Sequence, residues 1–562
     1  MYSNSPNNLE ELMQRLNFLL VLLLSIITVS NAQTTITGTL LGNDGKPMIN
    51  ACVVLKQPMD NNVVKSVVVD KDGNYKIEVD STGVWMLYFI GVNHSAYQMA
   101  LYADTPETEN INIRLKTHEY LDDFSDAAVI GNFNDWSHKT SVPMTKNPDG
   151  TYSAVVDSKS DTVAYRLIKI AKEAAVEGTE ANSYEYNGND GYNSVIVSKP
   201  GNVKIVFDPA KLIKSSSPAE LAFSDSASLT AQFAIIYNRI INNDLAWGEA
   251  IMDFERSGKH IFDFKYDWSN EVDYFNSQIK DSKIDIIKDE LLLGYLNIVA
   301  LNAKADTAIV RHALEKLSPS SILWSLNPGK TDIIVCLSFQ ALNPENYIDK
   351  TKEYENRMLI VNKSPLVKSE VLYHLFRSAK FQNKIDEASE YLNILISKYP
   401  NTPRGIYAKE VLTDAVPVKV GSPVPSFSFV SLDDSSIVVN NESMKGKFYL
   451  IDFWATWCYF CVEDLKTLND VYEKYKNNNF TILSVSEDYS PQDIIKFRKI
   501  KWKMPWFNTM LVGDFLDKIK KEFGIIGIPS PILVDDKGIV IAVPGDLYGD
   551  NLDKILANLL SK

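Results

Sequence analysis

The chain has 562 residues, with 57 Lys and Arg against 71 Asp and Glu, a formal net charge of −14. At about 150 residues per domain the length implies three or four domains, and 45% hydrophobic with 23% charged residues excludes wholesale disorder and fibrous repeats. The acidic balance excludes general nucleic-acid binding, which runs on basic patches, and four cysteines are too few for a disulfide framework.

An apolar run over 16–29 follows Arg15, and Ser30-Asn31-Ala32 puts small residues where a signal peptidase reads. The run is short for a membrane span and no basic stop-transfer cluster follows. Residues 1–32 therefore read as a cleavable secretory signal peptide, with a signal anchor as the other reading. Glu10 and Glu11 are foreign to a positive n-region, which makes Met13 an alternative start to Met1. No cysteine stands at the cleavage site, so no lipoprotein anchor is expected, and no other segment is apolar enough to span a bilayer. The mature chain is expected in the periplasm, where disulfides persist.

Residues 33–117 alternate as short strands. Thr37-Gly38-Thr39-Leu40, the turn Asn43-Asp44-Gly45-Lys46-Pro47, an apolar stretch over 51–56 and the turn Asp70-Lys71-Asp72-Gly73-Asn74 indicate a β-sandwich. Residues 118–212 are strand-rich again, with Gly131-Asn132-Phe133-Asn134-Asp135-Trp136 and Asp149-Gly150-Thr151-Tyr152. Trp136 reads as a core or loop anchor in preference to a sugar-stacking ring. Tyr184, Tyr186 and Tyr192 stand among Asn and Gly, as hairpin aromatics or as the lining of a sugar site. The first pattern resembles the carboxypeptidase regulatory-like domain, on Gly38-Thr39, Gly45-Lys46-Pro47 and Asp72-Gly73-Asn74-Tyr75, and implies a non-catalytic module. The second resembles glycogen-binding β-sandwich modules, on the G-x-F-N-x-W stretch, and leaves a glycan ligand open.

Over 213–415 apolar residues take helical spacing, as in Leu229, Phe233, Ile236, Tyr237 and Ile240, and again in Ala388, Tyr391, Leu392 and Leu395. The stretch from Glu387-Ala388 to Tyr399-Pro400-Asn401-Thr402-Pro403 resembles the end of a tetratricopeptide unit. No repeat of about 34 residues is sustained, so an irregular helical scaffold is expected, serving partner binding or spacing.

From 416 to 562 strand and helix patterns alternate. Residues 448–455 suit a strand buried on both faces, and Cys461, Leu465, Leu468, Val471 and Tyr475 follow at helical spacing. A second buried strand is expected at 480–485. Ser490-Pro491 opens a helix, and another over 515–523 stops at Gly524. A hairpin over 532–541 and a helix over 550–560 complete a β-α-β half and a β-β-α half, the thioredoxin order. Cys458 falls where strand turns to helix. The helix N-terminus, with about half a positive charge and free N–H groups, stabilises a thiolate there, which makes Cys458 the candidate nucleophile. Cys461, three residues on, can reach back and resolve a mixed disulfide. Asp452 interrupts the apolar strand. A buried carboxylate is costly, so it is either functional or a hydrogen-bonded strand-end group.

The string Phe453-Trp454-Ala455-Thr456-Trp457-Cys458-Tyr459-Phe460-Cys461 resembles the exported thioredoxin-like thiol-disulfide oxidoreductases of the TlpA/ResA kind, over 418–562. The resemblance implies exchange with protein disulfides or dithiols, a membrane electron donor or acceptor, and no cofactor. It makes Asp452 the proton acceptor for Cys461. It also makes Pro529, in Gly527-Ile528-Pro529-Ser530, the cis-proline of the fold. Ile528 then pairs with an extended substrate segment like an added strand, with Trp457 beside it. Three departures are visible. Pro531 removes a donor from the following strand. Asp464 and Lys466 stand where the family often has Glu and Pro. Tyr459-Phe460 places no positive charge between the cysteines, which points to a reductant or an intermediate potential. Trp502, Pro505 and Trp506 read as core or rim packing, or as a border of the substrate groove.

A zinc site needs about four ligands; there is no second C-x-x-C and no His near this one, so no metal is expected. Two other functions stay open. One is a glycan- or partner-binding scaffold with a structural thioredoxin domain; the other is a thiol peroxidase attacking through Cys458. Cys52 and Cys336 are expected to be unpaired and buried.

Overall fold

The computed structural model describes residues 34–562 except 105, 190, 214–217, 257–263, 383, 413–417, 489, 548–550 and 561–562. The expected signal peptide lies outside the described residues. The chain forms two compact units, Met1–Ile241 with Ile284–Glu290, and Asn242–Lys283 with Leu291–Lys562.

In the first unit, β1 (Thr34–Leu41), β2 (Ala51–Lys56), β3 (Val63–Val68), β4 (Asn74–Val79), β5 (Gly83–Gly91), β6 (Tyr97–Ala103) and β7 (Thr108–Arg114) build two sheets. One runs β3-β2-β5-β6; the other contains β7-β1-β4. Alternate residues of β1 are buried, as a strand with one face on a core requires. Ile36, Leu40, Val53, Leu55, Phe89, Leu101 and Ile111 fill the space between the sheets. The Asp70 carboxylate accepts the N–H groups of Asp72 and Asn74 at 2.9 and 2.8 Å, so the turn before β4 forms locally. β1 and β7 approach so closely that a β-carbon on Gly38 would meet the Ile111 carbonyl oxygen at 1.8 Å.

The next strands are β8 (Ala128–Gly131), β9 (Val142–Pro143), β10 (Thr145–Lys146), β11 (Tyr152–Ser158), β12 (Thr162–Ile168), β13 (Ser183–Tyr186), β14 (Tyr192–Val197) and β15 (Gly201–Phe207). They form a sheet β10-β11-β15 and a sheet β13-β14-β12-β8-β9. Trp136 is half-buried and packs on Ala128, Ile130 and Ile168. Asp135 and Trp136 both take left-handed backbone, φ 54° and 58°, which Asn134 braces by accepting from Gly131 N–H and donating to the Ser137 and Thr140 carbonyls. Tyr184, Tyr186 and Tyr192 pack with Cys52, Val54, Ile90 and Val92, so these rings join the two strand regions. β16 (Glu220–Phe223) then returns to pair with β7 before the first helix, α1 (Leu229–Arg256), begins.

An ion triad around the buried His118 and Glu177 ties the two strand regions together, because Glu177 also accepts from Asn93 N–H and Glu173 from Ser95 Oγ. His118 lies between Glu177 at 3.0 Å and Glu173 at 3.2 Å. Burial alone would lower the imidazole pKa, but the two carboxylates outweigh it and push it up to about 9. This group binds its proton more tightly folded than unfolded. Its contribution is therefore complete below about pH 6.5 and is lost as pH rises through about 9. His118→Gln leaves two carboxylates facing each other and is expected to destabilise this unit by about 3 kcal/mol at pH 7. Urea unfolding checks this, and the gap to the unmodified chain must narrow between pH 7 and pH 10.

The second unit carries α2 (Ser269–Asp281), α4 (Thr307–Lys316), α5 (Thr331–Leu342), α6 (Tyr347–Val361), α7 (Pro365–Phe381), α8 (Ile385–Lys398) and α9 (Pro403–Tyr407), while α3 (Asp285–Ala300) begins in the first unit. α7 starts on Ser364, whose hydroxyl accepts from Val367 N–H, with Pro365 at the first helical position. It packs on α8 through Leu372, Phe376, Ala379, Ala388 and Leu395. Cys336 on α5 is free but only half-buried, a correction to the expected full burial; Cys52 is free and buried, and burial pushes its thiol up to about 11. Among the described residues no helix is long and apolar enough to cross a membrane.

After a hairpin of β17 (Ser428–Val430) and β18 (Val438–Asn440) come β19 (Phe448–Trp454), α10 (Tyr459–Tyr475), β20 (Phe480–Ser486), α11 (Pro491–Ile500), β21 (Phe507–Met510), α12 (Gly513–Phe523), β22 (Ser530–Val534), β23 (Val540–Ala542), α13 (Pro544–Leu547) and α14 (Asn551–Leu560). The sheet order is β21-β20-β19-β22-β23, with β19 parallel to β20 and antiparallel to β22. Apolar residues of α10, α11 and α14 cover one face and those of α12 the other. Gly524 closes α12 in the left-handed conformation at φ 61°, as its position predicts. β22 keeps its register with β19 through Pro531, which lies opposite Asp452. Trp506 is buried and donates to Ser484 Oγ at 2.8 Å, and Trp502 packs on the same core, so these two rings pack.

Candidate active site

β19 ends at Trp454 and the chain turns through Ala455-Thr456-Trp457 into α10. Asp488, at the end of β20, holds this turn. Its carboxylate accepts from Thr456 N–H at 3.1 Å and from Thr456 Oγ1 and Ser486 Oγ, both at 2.6 Å. Cys458 is the N-cap of α10, and its sulfur accepts from Cys461 N–H at 3.2 Å. A free N–H of the first helical turn is therefore aimed at the Cys458 sulfur, the placement that favours a thiolate. The two cysteines are joined in a disulfide with Cα atoms 5.2 Å apart, and both are buried. Trp457 and Phe460 stand out at the rim, 43% and 69% exposed.

Asp452 is buried in β19, opposite Ser484 on one side and Pro531 on the other. Burial, followed by the nearby Asp464 charge, pushes its carboxyl up to about 7. Asp464, one turn beyond Cys461 on α10, is pushed up to about 6 by burial and then by Glu463. The two carboxyls border a cavity of about 20 Å³ with Thr467, Leu468, Pro531, Leu547 and Leu552, room for roughly one water. Asp452 thus shares a small, largely apolar void with a second acid.

Ser530 pairs with Phe453, so residues 528–529 sit just past the end of β19, next to the cysteine turn. The Ile528–Pro529 bond is cis, and Ile528 packs against the core cluster that holds both cysteines. The structure thus places Cys458, Cys461, Ile528 and Pro529 at the end of the central strand β19, with Asp452 inside that strand. Asp488 was not singled out from the sequence. Its only signal was a polar Ser486-x-Asp488 ending to an apolar strand, with its partner Thr456 far away in the chain.

A family model described as the AhpC/TSA family matches residues 420–543. The thiol-disulfide oxidoreductase ResA of Bacillus thuringiensis subsp. konkukian is 26% identical over 144 residues, 25% of this chain and 79% of that protein. The thiol:disulfide interchange protein DsbE of Tatumella citrea is 29% identical over 126 residues, 22% of this chain and 62% of that protein. Among solved structures, the thioredoxin domain of a thiol-disulfide oxidoreductase from Bacteroides vulgatus is 29% identical, covering 25% of this chain and 98% of that one, with a TM-score of 0.23. The C-terminal domain is thus a thioredoxin-like thiol-disulfide oxidoreductase domain with an active-site C-x-x-C pair. It is of the ResA and DsbE kind.

Proposed function

We propose that this chain is an exported, periplasmic enzyme that reduces or exchanges disulfides in other exported proteins. The observation that carries the reading is the Cys458–Cys461 disulfide at the start of α10, backed by the buried Asp452. In the reducing direction the dithiol form acts. Cys458 gives its proton to water; its thiolate attacks one sulfur of a substrate disulfide, and the first substrate thiolate leaves and takes a proton from water. Cys461 then loses its proton to Asp452 and attacks the Cys458 sulfur, expelling the second substrate thiolate. Two electrons pass to the substrate and the Cys458–Cys461 disulfide forms. A membrane dithiol donor restores the reduced pair. Ile528 offers backbone to an extended substrate segment, Pro529 holds it beside the cysteines, and Trp457 gives an apolar flank. No cofactor takes part.

The strand regions before residue 213 are read as two β-sandwich modules, carboxypeptidase regulatory-like at 33–117 and glycogen-binding-like at 118–212. The helices over 213–415 are read as a tetratricopeptide-like scaffold presenting the 416–562 domain. These modules leave room for glycan or partner binding beside the redox activity. The full chain is expected to accelerate insulin reduction by dithiothreitol. Rapid consumption of hydrogen peroxide with no insulin reduction would favour the peroxidase reading, and inertness in both assays the scaffold reading.

A further inference from the structure

The helical segment reaches the active site within the second unit. Ile526 packs into the apolar cluster of α7 and α8, beside Leu372, Phe376 and Leu395. Lys380 of α7 donates from Nζ to the carbonyl of Gly524 at 2.7 Å. One turn earlier, Arg377 sets its Nη2 at 3.6 Å from where a β-carbon on Gly527 would stand. Residues 524–527, which lead into Ile528 and Pro529, therefore run along α7. Arg377 is exposed, with its guanidinium 5.8 Å from the Tyr373 ring centre. Two nearby cations are neutralised, Arg404 by Glu370 and Lys520 by Glu487, each at 2.7 Å. Among the described residues no carboxylate pairs with Arg377. Arg377 thus leaves an exposed positive charge beside Gly527 on a chain of net charge −14.

We propose that Arg377 determines specificity at the dithiol site, receiving a carboxylate on the substrate segment that lies along Gly527 and Ile528. The inference rests on the reading of Ile528 as substrate-pairing backbone. A strand added there lies about 4.8 Å away, within reach of a planar guanidinium that matches carboxylate geometry. The substrate class is then a protein disulfide whose cysteine is flanked by Asp or Glu. The helical scaffold supplies this preference, and the thioredoxin-like domain supplies the chemistry.

The test uses the pre-reduced full chain and three disulfide-bonded peptides that differ only in Glu, Gln or Lys beside the cysteine. Each rate is divided by that peptide's rate with dithiothreitol, which removes its intrinsic reactivity. Near-surface charge pairs lead to an expected advantage of about three- to tenfold for the Glu peptide over the Lys peptide at low salt. That advantage shrinks in 0.5 M salt because the Debye length falls to about 4 Å. Arg377→Glu is expected to reverse the order and Arg377→Gln to bring the ratio near one. An unchanged ratio in Arg377→Glu, or a ratio in the unmodified chain that ignores salt, overturns the inference; the salt series needs no variant. Equal rates for all three peptides overturn it while leaving the oxidoreductase reading intact. Reduction of none overturns both.

Discussion

Replacing Cys461 by Ser is expected to stop the reaction halfway, with substrate proteins held on Cys458 as mixed disulfides. The expectation comes from the asymmetry of the pair. Cys458 caps α10 and receives the Cys461 N–H at 3.2 Å, whereas Cys461 lies inside the first turn. Only Cys458 has the helix N-terminus to hold its thiolate, so it attacks and Cys461 resolves. Cys458→Ser removes the nucleophile and is expected to lower disulfide exchange by at least about a thousandfold, as loss of a covalent nucleophile does elsewhere. Non-reducing electrophoresis of extracts exposed to each variant checks both. Conjugates that form through Cys461 when Cys458 is replaced, and not the reverse, would exchange the two roles.

Asp452→Asn is expected to slow resolution by about tenfold to a hundredfold near neutral pH, the range of a lost general base. The rate in the unmodified chain should fall as pH drops through about 7, where Asp452 takes up a proton, and the variant should lack that inflection. Stability should move the other way. The Asp452 carboxyl is raised from 3.8 to about 7, so the folded state binds the proton more tightly than the unfolded state. Stability therefore falls as pH rises from about 4 to about 7. Above that window the buried charge costs up to about 4 kcal/mol, from roughly three pKa units at 1.36 kcal/mol each. Asp452→Asn is accordingly expected to be more stable at pH 8 and no different below pH 4, measured by denaturant unfolding. A purely structural Asp452 would show the opposite, a destabilised variant with unchanged kinetics.

The parts of the site that were legible in the sequence are those set by local chain geometry. Cys458 and Cys461 share one helical turn, and an Asp inside an apolar strand announces itself, so residues 448–461 could be read from spacing and burial cost. Pro529 was legible through resemblance alone, because nothing in the residues around it dictates its position beside the cysteines. The rest depends on partners distant in the chain. Asp488 braces Thr456 across 32 residues, and Lys380 meets Gly524 across 144. Neither contact leaves a periodicity or a motif. The pairing of His118 with Glu173 and Glu177 is of the same kind, since charged residues in a strand-rich stretch look like solvated surface until the two strand regions bury them. β16 escaped notice because it is a four-residue edge strand with one half-covered face. Asp464 was visible as an acid at a family position, but its place across a small void from Asp452 needed the helix and the sheet together.

The reduction potential of the Cys458–Cys461 pair tests the central claim most directly. Trp457, adjacent to the nucleophile, is expected to report it by fluorescence as the full chain is titrated against a thiol buffer at pH 7. The helix N-terminus stabilises the Cys458 thiolate, but Tyr459-Phe460 adds no positive charge, so the reduced form is not strongly favoured. The account predicts a two-electron transition between about −230 and −290 mV, near thioredoxin and within reach of a reducing donor. A value near about −120 mV, that of a strong oxidant, or a pair that never cycles between dithiol and disulfide, would contradict it.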